Sequence, residues 1–149
     1  MRSRITKSVL TEMATIRGAQ RTAAEARAAR ASQMLRLKEA LHEENEQKRL
    51  DSESRWNRIV STPPMDAGML QLCAADALRQ QSAVARAETE VAQAAKNLDR
   101  NIAEWSASAK RQDVIEDLLH QANKAAANRR DDISMQDALD RHVWLGSSC

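Results

Sequence analysis

Apolar residues recur along this chain mostly at steps of three and four, in two long series separated by one interruption. The first series runs Ile5, Val9, Met13 and Ile16, then Ala19, Ala23 and Ala26, then Met34, Leu37 and Leu41, then Leu50, Trp56 and Ile59. That spacing places them on one face of an amphipathic helix. The second is a seven-residue series: Val84, Val91, Leu98, Trp105, Gln112, Leu119, Ala126 and Ile133, flanked by Ile102, Ala109, Ile115 and Ala122. A sustained heptad is what two helices wound on each other require. Between the two series stand Pro63 and Pro64, the only prolines. A proline inside a helix removes a hydrogen bond and clashes with the preceding turn, at ~3 kcal/mol or more, and it pushes the residue before it out of the α region. Residues 61–66 are therefore read as a turn between a helix over about 4–60 and a helix over about 66–144, with a short C-terminal tail. Thr62, with Pro63 as first helical residue, or Asp66 can cap the second helix. Gly18 costs about 1 kcal/mol against Ala and is not expected to break the first helix; Gly146 is expected to end the second.

A short connection between long helices favours an antiparallel hairpin. The predicted fold is all-α: a single long antiparallel two-helix coiled-coil hairpin, with arms of roughly 85 and 115 Å. If the turn centres near Pro64, facing residues have numbers that add to about 128. That register opposes Val9 to Leu119, Met13 to Ile115, Ala23 to Trp105, Ala26 to Ile102, Leu37 to Val91, Leu50 to Leu78, Trp56 to Leu72 and Ile59 to Met69. Bulky residues of the second arm then meet the Ala-rich part of the first. Two places fit badly and predict a looser seam: residues 43–49 hold no apolar side chain, and Gln112 falls opposite Ile16. Beyond about residue 124 the second arm has no opposite number. Its apolar residues Ile133, Met135, Ala138, Leu139, Val143, Trp144 and Leu145 must fray, fold back or dock elsewhere.

Composition supports the hairpin over a globular core. Ala, Glu, Lys, Leu and Arg supply 74 of 149 residues, the balance of a coiled coil. Tyr and Phe are absent, and Ala provides 27 of the apolar residues, so little bulk is available for burial. A net charge of +2 is too small for a chain kept unfolded by self-repulsion. No leader-like apolar segment follows Met1–Lys7, and no run approaches the ~20 residues that span a bilayer. Cys73 and Cys149 lie far apart without CxxC spacing, so free thiols in a reducing compartment are expected, and with them a soluble cytoplasmic protein.

Charge divides the chain further. Residues 1–38 carry nine basic and two acidic side chains, residues 39–54 two basic and six acidic, and the part from Asp66 onward ten basic and thirteen acidic. A basic helix can hold nucleic acid, but no zinc-finger spacing, zipper-linked basic region or aromatic platform accompanies this one. The ordinary alternative is a solvated face with i,i+4 pairs; a third is an end that meets an acidic protein surface. His42, His120 and His142 lie in no HExxH or Cys/His array, and phosphate-binding glycine loops and a nucleophile elbow are missing, so no metal, cofactor or enzymatic activity is implied. A two-helix hairpin is also expected to offer no concave pocket.

With these pieces the chain resembles the FliJ/YscO (SctO) family, the small stalk proteins of type III secretion and flagellar export. The resemblance rests on the length, the single break and the unequal arms. Local segments add to it: Arg4-Ile5 through Leu10 with Ile16-Arg17-Gly18-Ala19-Gln20-Arg21; Leu98-Asp99-Arg100-Asn101-Ile102-Ala103-Glu104-Trp105 followed by Lys110-Arg111; and Met135-Gln136-Asp137-Ala138-Leu139. Residues 43–49 depart from the family by lacking aromatics. The resemblance implies a non-enzymatic stalk, similar to the γ-subunit coiled coil of rotary ATP synthases. Its paired ends would enter a hexameric ATPase ring, and its tip would reach the export gate at the cytoplasmic face of the inner membrane, without insertion in the membrane; secretion chaperones are further partners. On this reading Arg4, Lys7, Arg17, Arg21, Arg129 and Arg130 face the ring, and Trp56, Ile59, Met65, Met69 and Leu72 face the gate. Competing readings are a generic cytoplasmic coiled-coil adaptor and a basic nucleic-acid-binding helical protein.

Overall fold

A computed structural model of the chain describes residues 7–64 and 66–146, and side chains as far as Arg141. Two helices account for nearly all of it: α1, Lys7–Ser61, and α2, Ala67–Gly146. They pack against each other as an all-α hairpin. α1 ends at Ser61 and α2 begins at Ala67, on either side of the predicted break, and α1 passes through Gly18 unbroken. A Cβ added at Gly18 would meet nothing closer than the Gln112 amide nitrogen at 3.9 Å, so backbone entropy is the only local cost of that glycine.

The turn resolves the choice of cap. The Asp66 carboxylate accepts a hydrogen bond from the Gly68 backbone N–H at 2.8 Å, and the Asp66 carbonyl accepts the first α2 bond, from Leu70, at 3.0 Å. Asp66 is thus the N-cap. Thr62 belongs to the other helix: its hydroxyl donates to the Arg58 carbonyl at 2.8 Å, closing the end of α1. Met65 lies outside the described residues.

The chain divides into two compact units, Ala24–Trp105, and Met1–Ala23 with Ser106–Cys149. In the first, a seam of buried and half-buried α1 positions runs Ala24, Ala28, Ala31, Leu35, Lys38, His42, Asn45, Arg49, Ser52, Trp56 and Ile59, with Ala26, Ser32 and Glu46 half-buried beside it. The seam positions alternate steps of four and three without a slip, as a coiled-coil seam does. On α2 the matching positions are Leu70, Cys73, Ala77, Gln80, Val84, Ala87, Val91, Ala94, Leu98, Asn101 and Trp105. In the second unit the same alternation gives Leu10, Ala14, Arg17 and Arg21 on α1, and Ser108, Gln112, Ile115, Leu119 and Ala122 on α2.

The register holds. Ser52 bonds to Asp76 and Lys38 to Glu90, both on the predicted pairing, while His42 with Glu88 lies two positions off it and Arg27 with Glu104 three, within the reach of these side chains. The α2 face is also as predicted from Val84 to Leu119, except at the exposed Ile102. The α1 face is not. Val9, Ile16, Met34, Leu37, Leu41 and Leu50 are all 42% or more exposed, and Ala19 and Ala23 are exposed too. Met13 and Ala26 are half-buried beside the seam, and only Trp56 and Ile59 of that series occupy it. Of the facing pairs, Leu50–Leu78 has both members exposed, and Leu72, Met69 and Ile102 are exposed members of three others. The seam runs one residue further along, about 100° around the helix. Lys, Arg and His can lay their stems along a seam and keep their heads in water. A stripe chosen by hydrophobicity alone therefore follows the bulky flank and misses the small and polar seam.

Gln112 faces Gly18 and Arg21 rather than the 57%-exposed Ile16. Beyond Ala122, α2 continues as helix, and every side chain from Asn123 to Arg141 is exposed, including Ala126, Ile133, Met135 and Leu139. The segment neither frays out of helix nor folds back. Val143, Trp144 and Leu145 lie beyond the described side chains.

Candidate functional site

The structure places the expected site residues in different settings. Of the basic set, Lys7, Arg129 and Arg130 are exposed. Arg17 and Arg21 are seam residues: the Arg17 guanidinium donates to the Gln20 amide oxygen at 2.9 Å, and that of Arg21 reaches the Gln112 amide oxygen at 3.5 Å. Arg4 lies outside the described residues. Of the tip set, Trp56 and Ile59 are half-buried in the seam, whereas Met69 and Leu72 are 51% and 66% exposed. The two sets are thus partly packing and partly free surface.

A second constellation forms in the middle of the Ala24–Trp105 unit. From Lys38 to Ser52 every α1 seam position is polar: Lys38, His42, Asn45, Arg49 and Ser52. Each of the long ones finds a carboxylate. The Lys38 ammonium donates to Glu90 at 2.6 Å. The Arg49 guanidinium bridges Glu46 at 2.9 Å and Glu53 at 3.2 Å, and Glu46 in particular raises its pKa. Ser52, 3% exposed, donates to Asp76 at 2.8 Å, and Gln80 and Arg55 join the same carboxylate at 3.3 and 3.2 Å. The Ser52 hydrogen bond, then that of Gln80, hold the Asp76 carboxyl below its ordinary value. His42 is the exception. Its Nε2 has no exposed area and no hydrogen-bond partner, and lies 3.9 Å from a Glu88 oxygen.

His42, Glu46 and Glu88 bring one nitrogen and two carboxylate oxygens within 4.8 Å of one another. Motif reading misses this group because its third member comes from the other helix. The available signal was His42 and Glu46 one turn apart, with Glu88 two positions off the hairpin register.

Two open grooves flank the seam in this unit. One, of about 780 Å³, runs past Arg49, Glu53, Trp56, Val84 and Glu88, beside the stretch where loosening was expected; the other, of about 490 Å³, is lined by Arg27, Met34, Lys38 and Glu90 among others. Small side chains on α2, Ala74, Ala77 and Ala85 in the first and Ala94 in the second, leave the space. Cys73 is a free, half-buried thiol on the seam.

No family model, curated protein or solved structure matches this chain. Among the described residues no helix is long and apolar enough to cross a membrane.

Proposed function

We propose that the protein is the non-enzymatic central stalk of a type III export ATPase, placed in the cytoplasm against the inner-membrane export gate. The single observation that supports this most is the exposed helical continuation of α2. Beyond Ala122, α2 continues as helix past the basic pair Arg129 and Arg130, and every side chain from Asn123 to Arg141 is exposed. A stalk of the FliJ/YscO kind needs such an exposed helical end to enter a ring. At that end Lys7, Arg129 and Arg130 have the exposure a charged ring lumen would engage, and Met69 and Leu72, together with Val60, are exposed apolar residues near the turn for a gate or chaperone contact. Part of the basic charge elsewhere on α1 is engaged within the chain, while Arg30, Arg36 and Arg58 are exposed. Arg17, Arg21, Arg27 and Lys38 all bond or pair inside the chain, which weighs against a nucleic-acid-binding face.

The test is a pull-down with the cognate hexameric ATPase, scored for binding and for stimulated hydrolysis. Reversing Lys7, Arg129 and Arg130 together to Glu is expected to abolish binding with helicity unchanged, and the wild-type interaction is expected to weaken with salt. Arg17 and Arg21 are unsuited to this reversal because they lie in the seam. Full binding by the triple variant would overturn the ring-facing assignment, and salt-dependent retention of DNA in place of ATPase would replace the function.

A further inference from the structure

We propose that His42, Glu46 and Glu88 form a binding site for a first-row divalent metal ion, with Zn²⁺ as its natural probe, that staples α1 to α2 across the polar part of the seam. Three observations carry this. The donor set is one imidazole and two carboxylates, from residues one turn apart on α1 and a third on α2, with ligand atoms all within 4.8 Å. The His42 Nε2 is sealed from water yet bonded to nothing, a buried polar atom whose desolvation nothing returns. Lys38, Arg49 and Ser52 in the same stretch all have partners; the Trp105 Nε1 is likewise buried without one, but an indole N–H only donates and cannot ligate a cation.

The chemistry suits a borderline cation. Imidazole with carboxylates favours zinc and its neighbours over magnesium or calcium, which prefer all-oxygen shells. Tetrahedral zinc, bound at about 2.0–2.1 Å, spaces its ligand atoms roughly 3.3 Å apart. The gap of 3.9 Å between His42 Nε2 and the Glu88 oxygen closes by rotation of Glu88, whose side chain is 63% exposed and free to turn. Glu46 is already oriented, since Arg49 holds its Oε2 at 2.9 Å and leaves the other oxygen available. That is the outer-shell arrangement by which metal sites fix their carboxylates. Two carboxylates offset the charge of a divalent ion, and water completes the fourth position.

The experiment uses the full chain, stripped with chelator and titrated with ZnCl₂ by calorimetry, with thermal unfolding read alongside. One Zn²⁺ per chain and a raised Tm that chelator reverses are expected. Glu88→Gln is expected to weaken binding at least about tenfold and to remove the Tm rise, with its circular dichroism unchanged. His42→Ala is expected to do the same, and His120→Ala to bind as the wild type does. Absence of Zn²⁺ binding by the wild type would overturn the site, as would undiminished binding by Glu88→Gln and His42→Ala. Neither result bears on the ATPase pull-down, so the two proposals stand or fall separately.

Discussion

Two stretches of the α1 seam within the Ala24–Trp105 unit obey the same heptad and solve the same packing problem in opposite ways. From Ala24 to Leu35 the seam is small and apolar, and Ala24 and Ala28 are buried. From Lys38 to Ser52 it is polar throughout, and only Ser52 is buried. Opposite them the α2 seam is apolar or small from Val84 to Leu98, with Gln80 and Asn101 as polar positions at its two ends. The first stretch works because Ala adds no bulk and loses no side-chain entropy. The second works because long side chains cover the α2 seam with their stems while their heads pair beside it. One stretch is therefore expected to set stability, and the other to set register and to offer chemistry.

The most damaging change should be Ala28→Glu. A carboxylate on so short a stem cannot reach out of a buried position as Lys38 does, and a loss of about 2–3 kcal/mol is expected by urea denaturation. Val84→Ala should follow at about 2 kcal/mol, since Val84 is 6% exposed and covers the seam beside Arg49. Ser52→Ala should lower Tm by a few degrees at neutral pH. Its effect is pH-dependent, and the sign is set by Asp76. A carboxyl whose folded pKa is depressed adds stability that is complete above its unfolded pKa and is lost as pH falls through the folded one. The wild-type advantage over Ser52→Ala should therefore hold above about pH 5 and fade in stronger acid. An advantage that persisted in strong acid would mean that Ser52 acts by packing alone. Asn45→Leu should stabilise by about 1 kcal/mol, because it makes the polar stretch resemble the apolar one. Destabilisation instead would show that Asn45 is needed where it stands. Lys38→Ala should cost less than about 1 kcal/mol, since the pair with Glu90 is partly solvated.

The fold was legible because each of its determinants is local. Pro63 and Pro64 mark the turn, their position fixes the register, and Val84, Val91, Leu98 and Trp105 phase α2 without ambiguity. The phase of α1 was not legible in the same way. Met34, Leu37 and Leu41 form a more hydrophobic stripe than Ala31, Leu35 and Lys38, and only packing against α2 shows that the second set is inside. The same blindness hid the His42 cluster, since a polar residue at a seam position looks like surface until the seam is known. Leu10 is a further case: it is 6% exposed in the structure, while its neighbour Val9 carries the hydrophobic pattern.

The run of α2 beyond Ala122 has a consequence for how that helix forms. A solitary helix in water must first fix three residues for a single bond, a nucleation factor of about 10⁻³. Here the first turns are already fixed where α2 pairs with Leu10 and Ala14, so residues 123–141 only extend an existing template. Their amide protons should then exchange with solvent in graded order, slowest beside Ala122 and fastest toward Arg141. A partner that grips the far end would flatten that gradient before it altered any fold.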